Sequence, residues 1–259
     1  MNETELKPLC INRRQALSLL GVLGTGSFIG CNGSLDSSTS DSTSSSDTSS
    51  STTTTTTTTE SGSCTLIPEE TEGPYPLSAV LSNSAMVRQD ITEGKTGVPL
   101  TLVFKLVDIN NGCEPITTSA SVYVWHCDKD GVYSGYSQPG ANTVGETFMR
   151  GIQDVDDAGQ VTFSTIYPGW YAGRITHIHF QVFLYSSSVA TATSQLAFPQ
   201  DTTTEVYNST LYTKGQNTSV TSFGSDNVFS DGTTYQMASI SGNVSEGYTA
   251  TLEIGIAAS

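Results

Sequence analysis

The sequence predicts an all-β fold, a β-sandwich of mixed and antiparallel strands with long loops and little helix. Three observations carry this. Several short stretches alternate apolar and polar residues and are rich in β-branched and aromatic types. Turn-forming clusters separate them, and only one short stretch, 202–207, has helical character. Strands of this length broken by turns at this spacing build sandwiches and barrels.

The elements follow in order. Residues 99–108 alternate Leu and Phe with polar partners, and 121–127 repeat the pattern with Val, Tyr and Trp. Residues 160–166, 176–184 and 248–256 complete the set of clear strands. Asn110-Asn111-Gly112, Asp130-Gly131 and 156–159 (Asp-Asp-Ala-Gly) are the turn signals between them. No internal repeat is present.

Ahead of these strands the composition changes twice. Arg13-Arg14 precede an apolar stretch, 16–29, that ends in Gly30-Cys31. A basic region, a short apolar core and a small residue before the break form an export signal, here with the arginine pair of the twin-arginine type. Phe28-Ile29-Gly30-Cys31 resembles a bacterial lipoprotein box, with Phe28 where Leu is usual and Cys31 as the residue that would carry lipid. From 36 to 63, 23 of 28 residues are Ser or Thr and none is aromatic. Such a segment cannot bury enough apolar surface to fold and reads as a disordered tether. The expected organisation is therefore signal 1–30, tether 31–63 and one folded domain 64–259, membrane-anchored and facing the periplasm or cell surface.

Charge narrows the function. The chain carries 10 Lys and Arg against 25 Asp and Glu, a net of −15, and loss of residues 1–30 leaves 23 acids and 7 bases, a net of −16. Nucleic-acid binding draws on clustered bases, so that partner class is excluded. No apolar run is long enough for a mature membrane span, which leaves lipid on Cys31 as the membrane contact. Of the folded part's three cysteines, Cys113 and Cys127 flank opposite ends of one strand and are too far apart to bond. Cys64 is the expected partner of one of them in an oxidising compartment.

The chain has three histidines. His177 and His179 stand two apart in a strand, so both imidazoles share a face and can hold one metal ion. Tyr171 and Arg174 precede them in a Gly- and Pro-containing turn. His126 falls on the opposite side of its strand from Trp125 and reads as structural.

Residues 151–180 resemble the signature of the intradiol ring-cleavage dioxygenases. Residues 124–134, around Tyr133, and 64–75, ending in Pro74-Tyr75, resemble two further motifs of that family. The resemblance covers roughly 64–200, most of the folded part, and the export signal and cysteines resemble those of its extracytoplasmic bacterial branch. The resemblance implies a non-haem Fe(III) held by Tyr133, Tyr171, His177 and His179. Phenolate is a hard anionic donor suited to ferric iron. It implies a catechol-type substrate and O₂ as partners and a cis,cis-muconate-type diacid as product. By it, Tyr171 is the ligand displaced by substrate, Arg174 stabilises charge on the ring, and Gln195 lies near the oxygen. The same resemblance implies that Pro74 and Tyr75 line the substrate pocket. Unlike the cytoplasmic catechol dioxygenases, the chain has a Ser/Thr-rich tether where a helical dimerisation region would stand, which leaves oligomeric state open.

Two other metal proteins fit less well. A cupin needs an acid and a further histidine after H-x-H, and none follows His179. A copper–zinc dismutase needs more histidines than the chain has. The remaining alternative is a non-catalytic metal- or ligand-binding β-sandwich surface module on the same scaffold.

Overall fold

A computed structural model describes residues 64–258 with Ser186 excepted, so the expected export segment 1–30 and the expected tether 31–63 lie outside the described residues. The strands are β1 (Pro99–Asp108), β2 (Glu114–Pro115), β3 (Ala120–Trp125), β4 (Ser137–Gln138), β5 (Ala141–Asn142) and β6 (Arg150–Asp154). They continue as β7 (Gln160–Ile166), β8 (His177–Leu184), β9 (Ala192–Ala197), β10 (Ser239–Asn243) and β11 (Gly247–Ile256), with one α-helix among the described residues, α1 (Gln200–Tyr207). Strands β1, β7 and β11 match the stretches expected from alternation to within a residue.

Two sheets face each other. One runs β10-β11-β1, with β7 and β2 both pairing β1; the other runs β6-β3-β8-β9 and is antiparallel throughout. The first is mixed, because β11 joins β1 in parallel from Leu100↔Tyr248 to Asp108↔Ile256, while β7 is antiparallel to β1. Alternation sets the core: Leu100, Leu102, Phe104 and Leu106 of β1 meet Ile178, Phe180, Val182 and Leu184 of β8. Rings of Phe104 and Phe180 lie 5.0 Å apart across the interface. Both rings are fully buried, which favours the folded state by roughly 1.5–3 kcal/mol each.

A strand buried on both faces hides two residue sets. The second face of the β6-β3-β8-β9 sheet buries Tyr123, Trp125, Tyr133, Ile152 and Phe183 under the loop 127–149 and the segment 75–86. That face carries the polar residues discussed below. Helix α1 begins two residues earlier than the sequence suggested, because Pro199 and Asp201 suit a helix start. Its buried Tyr207 donates to Pro168 O at 3.0 Å, pinning the loop after β7.

Cys64 is bonded to Cys113, which resolves the two pairings left open by the sequence. Cys127 is a buried free thiol. His126 is structural as expected: it is fully buried, with Nδ1 against Cys127 O and Nε2 against Thr165 Oγ1, both at 2.8 Å.

Candidate active site

The register of the second sheet lays out a row across its four strands. Arg150 of β6 pairs with Trp125 of β3, Trp125 with His179 of β8, and His179 with Gln195 of β9. Directly paired residues share a face, so these side chains form one floor beneath the loops. Trp125 stacks on His179 with ring centroids 4.8 Å apart and planes 5° from parallel. His177, two residues from His179, stands beside it, and their Nε2 atoms are 3.1 Å apart.

Two loops bring the phenols. Tyr133 comes from the loop between β3 and β4, and Tyr171 from the loop between β7 and β8. The loops touch backbone to backbone. Gly169 and Gly131 make this contact possible, since a Cβ on Gly169 would lie 2.2 Å from Lys129 O, and one on Gly131 2.1 Å from Trp170 O. Gly169 N–H donates to Asp128 O at 3.0 Å, and Lys214 Nζ donates to Trp170 O at 2.6 Å and to Asp130 O at 3.1 Å. The result is convergence: the Oη atoms of Tyr133 and Tyr171 are each 3.4 Å from His177 Nε2.

The chemistry of the donor set fits a hard trivalent cation. His177 Nδ1 lies 2.6 Å from Ile175 O; a carbonyl only accepts, so the proton sits on Nδ1 and the Nε2 lone pair faces the phenols. Burial, reinforced by Arg174, lowers the His177 pKa to about 3. Burial, then His177, holds His179 well below the usual histidine range. Both imidazoles are therefore neutral at pH 7. Burial and the neighbouring Tyr171 push the Tyr133 phenol well above its ordinary value. Burial pushes Tyr171 to about 12, although Arg174 pulls the other way. Without a cation both phenols stay protonated, so ionising them needs a strong positive charge among the four atoms. Among the described residues no three His, Cys, Asp or Glu side chains form a metal-binding group, so an ion held here would have to take further donors from the tyrosines.

Arg174 is buried, with Nε 2.9 Å from Asp226 Oδ2 and Nη2 2.6 Å from Gln195 Oε1. Gln195 Nε2 in turn donates to Thr71 O at 2.8 Å. That bond ties down the 64–75 segment, in which Gly73, at φ +65°, lies so close to His179 that a Cβ would sit 3.1 Å from its Cε1. Tyr75 stacks on Tyr133 at 4.8 Å between centroids, while Pro74 is exposed between Gly73 and Tyr75. The structure thus brings together Tyr133, Tyr171, His177, His179, Arg174, Gln195 and Tyr75, with Pro74 at the margin.

Sequence reasoning missed Asp226 and Thr71, and noted Arg150 only as a base near the motifs. Arg150 is fully buried and donates to Ser134 Oγ and O, Tyr75 O and Tyr123 Oη. Asp226 stands far along the chain in a loop without periodicity, so no local signal marks it. The Arg150–Trp125–His179–Gln195 row becomes visible only once strand register is known.

No protein-family model matches the sequence, and no curated protein matches it. Solved structures do. An intradiol ring-cleavage dioxygenase from Tetranychus urticae shares 28% identity at a TM-score of 0.65, over 74% of this chain and 95% of that one. Another solved dioxygenase gives 28% and 0.64, over 74% and 94%. The dioxygenase domain of a dioxygenase–carbohydrate-binding fusion from Streptomyces sp. SirexAA-E gives 22% and 0.52, over 75% and all of that chain, and supports the fold alone.

Proposed function

We propose, from the premise that this chain is built on the fold of the intradiol ring-cleavage dioxygenases, that it is an oxidoreductase opening a catechol-type ring. It would use O₂ and a non-haem ferric ion, cleave between the two hydroxyl-bearing carbons, and release a cis,cis-muconate-type diacid. The observation that carries this reading is the convergence of two phenols and two neutral imidazoles beside a buried arginine.

His177 and His179 would hold the ion through Nε2, and Tyr133 and Tyr171 through Oη. The bound ion would supply Lewis-acid activation of the catecholate toward O₂. Tyr133 is fully buried, stacked under Tyr75 and edge-on to Tyr171 at 5.7 Å, which suits a ligand that stays in place. Tyr171 is only partly buried. As substrate takes its position, the Tyr171 Oη would accept a catechol hydroxyl proton and become the neutral phenol that this setting favours. Arg174 would place its guanidinium beside the reacting ring, where it can stabilise developing negative charge. Gln195 fixes the guanidinium and the segment that ends in Tyr75. Trp125 and Tyr75 close off two sides from water.

The substrate we favour is an uncharged catechol over a carboxylated one. Both arginines near the site are engaged, Arg174 by Asp226 and Gln195, and Arg150 by Ser134, Tyr75 and Tyr123. A carboxylate would have to displace one of these partners.

The same reading extends to location. We infer export by the twin-arginine-type signal, a lipid on Cys31 and a tether to residue 63. The Cys64–Cys113 bond supports an oxidising compartment. The test is to purify the protein from iron-replete cells and follow O₂ uptake with catechol, hydroxyquinol and protocatechuate. Bound iron, a tyrosinate charge-transfer colour and fastest uptake with catechol are expected. A colourless, iron-free and inert protein would overturn the proposal and leave the surface-module reading.

A further inference from the structure

We propose that Asp226 is a positioning residue of this site, its buried carboxylate setting the orientation of the Arg174 guanidinium and, through Ile175, the tautomer of His177. The inference rests on the site proposed above but concerns a side chain outside all of its sequence motifs.

Asp226 lies between two short 3₁₀ turns, Phe223–Ser225 and Phe229–Asp231, and its residue is fully buried. Oδ2 accepts from Arg174 Nε at 2.9 Å and from Ile175 N at 2.7 Å. Oδ1 accepts from Arg174 Nε at 3.2 Å, Val228 N at 2.8 Å and Phe229 N at 3.1 Å. Burial alone would raise its pKa, but the Ile175 N–H and the Arg174 guanidinium outweigh it and hold the carboxyl below its usual range. The group is therefore an anion with both oxygens satisfied.

Two consequences reach the site. First, Asp226 takes the Nε edge of Arg174 while Gln195 takes Nη2 at 2.6 Å. A planar guanidinium held on two edges cannot rotate about its Cδ–Nε bond, so one orientation of its charge is selected. The ring of Phe229, the residue whose N–H also binds Asp226, lies 5.7 Å from the guanidinium carbon. Second, Asp226 anchors the N–H of Ile175, and the carbonyl of that same residue faces His177 Nδ1 at 2.6 Å. Fixing Ile175 thereby keeps the His177 proton on Nδ1 and its Nε2 lone pair turned toward Tyr133 and Tyr171. A buried ion pair alone is weak evidence for any role. Here, though, two of the four residues that donate to the carboxylate, Arg174 and Ile175, are adjacent in sequence and reach the site.

Asp226→Asn keeps the shape and one acceptor oxygen but removes the charge. In the iron-loaded protein kcat is expected to fall about 10- to 100-fold, as for other residues that orient a metal site's groups, with KM for catechol little changed. In an Arg174→Gln background the same substitution is expected to change kcat by less than about twofold, because no guanidinium remains to be held. A wild-type kcat in Asp226→Asn, or equal losses in the two backgrounds, would overturn the Arg174 half of the proposal. The His177 half is read in metal-free protein by ¹⁵N NMR of the imidazole. A single Nδ1–H form is expected in the wild type and a mixture in Asp226→Ala; an unchanged spectrum would overturn it. If these variants do not fold, Arg174→Met/Asp226→Leu removes both charges together and carries the same NMR test. A wild-type protein without iron or turnover would sink the dioxygenase reading, and the NMR result would still decide the role of Asp226.

Discussion

Replacing Gly169 by Ala perturbs the contact between the two phenol-bearing loops and nothing else at that position. The backbone there is not in the left-handed region, so alanine is conformationally admissible, yet its Cβ would lie 2.2 Å from Lys129 O and 2.8 Å from Asp128 O. Real Cβ atoms essentially never come within 3.0 Å of such an atom, so the loops must part by about 0.8 Å or more, a strain that costs roughly 1–3 kcal/mol in a packed region. That movement carries Tyr171 away from Tyr133 and His177. Misplacement of reacting groups by about 1 Å costs on the order of 100-fold in rate. The assay is kcat for catechol, the visible band and thermal unfolding of Gly169→Ala beside Gly140→Ala. Gly140 has φ +83° and open space around its Cβ, so its substitution adds only local strain of about 1–2 kcal/mol and should leave kcat and the band unchanged. Gly169→Ala with wild-type band and kcat would refute the claim that glycine contact positions the phenols.

Other substitutions test other links. Tyr133→Phe removes a fully buried phenol oxygen and is expected to bleach the colour and cut turnover by roughly 10²-fold or more, measured by absorption and O₂ uptake. Cys64→Ser opens a loop spanning 49 residues, so stability should fall by about 4 kcal/mol on the chain-entropy account, checked by denaturant unfolding. For pH, burial holds the His126 pKa at about 4 against 6.5 when free. The unfolded chain then binds the extra proton first, so stability is full above about pH 6.5 and is lost as pH falls toward 4. The shift corresponds to about 3 kcal/mol, and His126→Gln should remove that share of the acid limb in melts of metal-free protein, while His177 and His179, also held low by burial, keep theirs.

Much of the fold is legible because β1, β7 and β11 each bury one face against the other sheet and so alternate cleanly. Strands β6, β9 and β10 were not anticipated. Strand β6 opens with the buried Arg150 and a glycine, β9 buries Ser194 and Gln195, and β10 is a largely polar edge. In each, polar side chains serve the site or solvent instead of the core, which erases the pattern. At the site, Tyr133, Tyr171, Arg174, His177 and His179 sit in compact motifs and could be named from the chain. Asp226 reaches Arg174 from 52 residues away, a distance set by tertiary packing and by no local spacing. The disulfide partner of Cys64 likewise depended on where β1 delivers its following loop, close to the start of the domain.

The most direct test of ring cleavage between the hydroxyl-bearing carbons is the product's NMR spectrum, read together with its mass, after turnover of catechol by iron-loaded protein under isotopically labelled O₂. The account expects a muconate-type diacid that has gained both labelled oxygen atoms. A quinone with no label, a product opened beside the hydroxyl-bearing carbons, or unchanged catechol would contradict it.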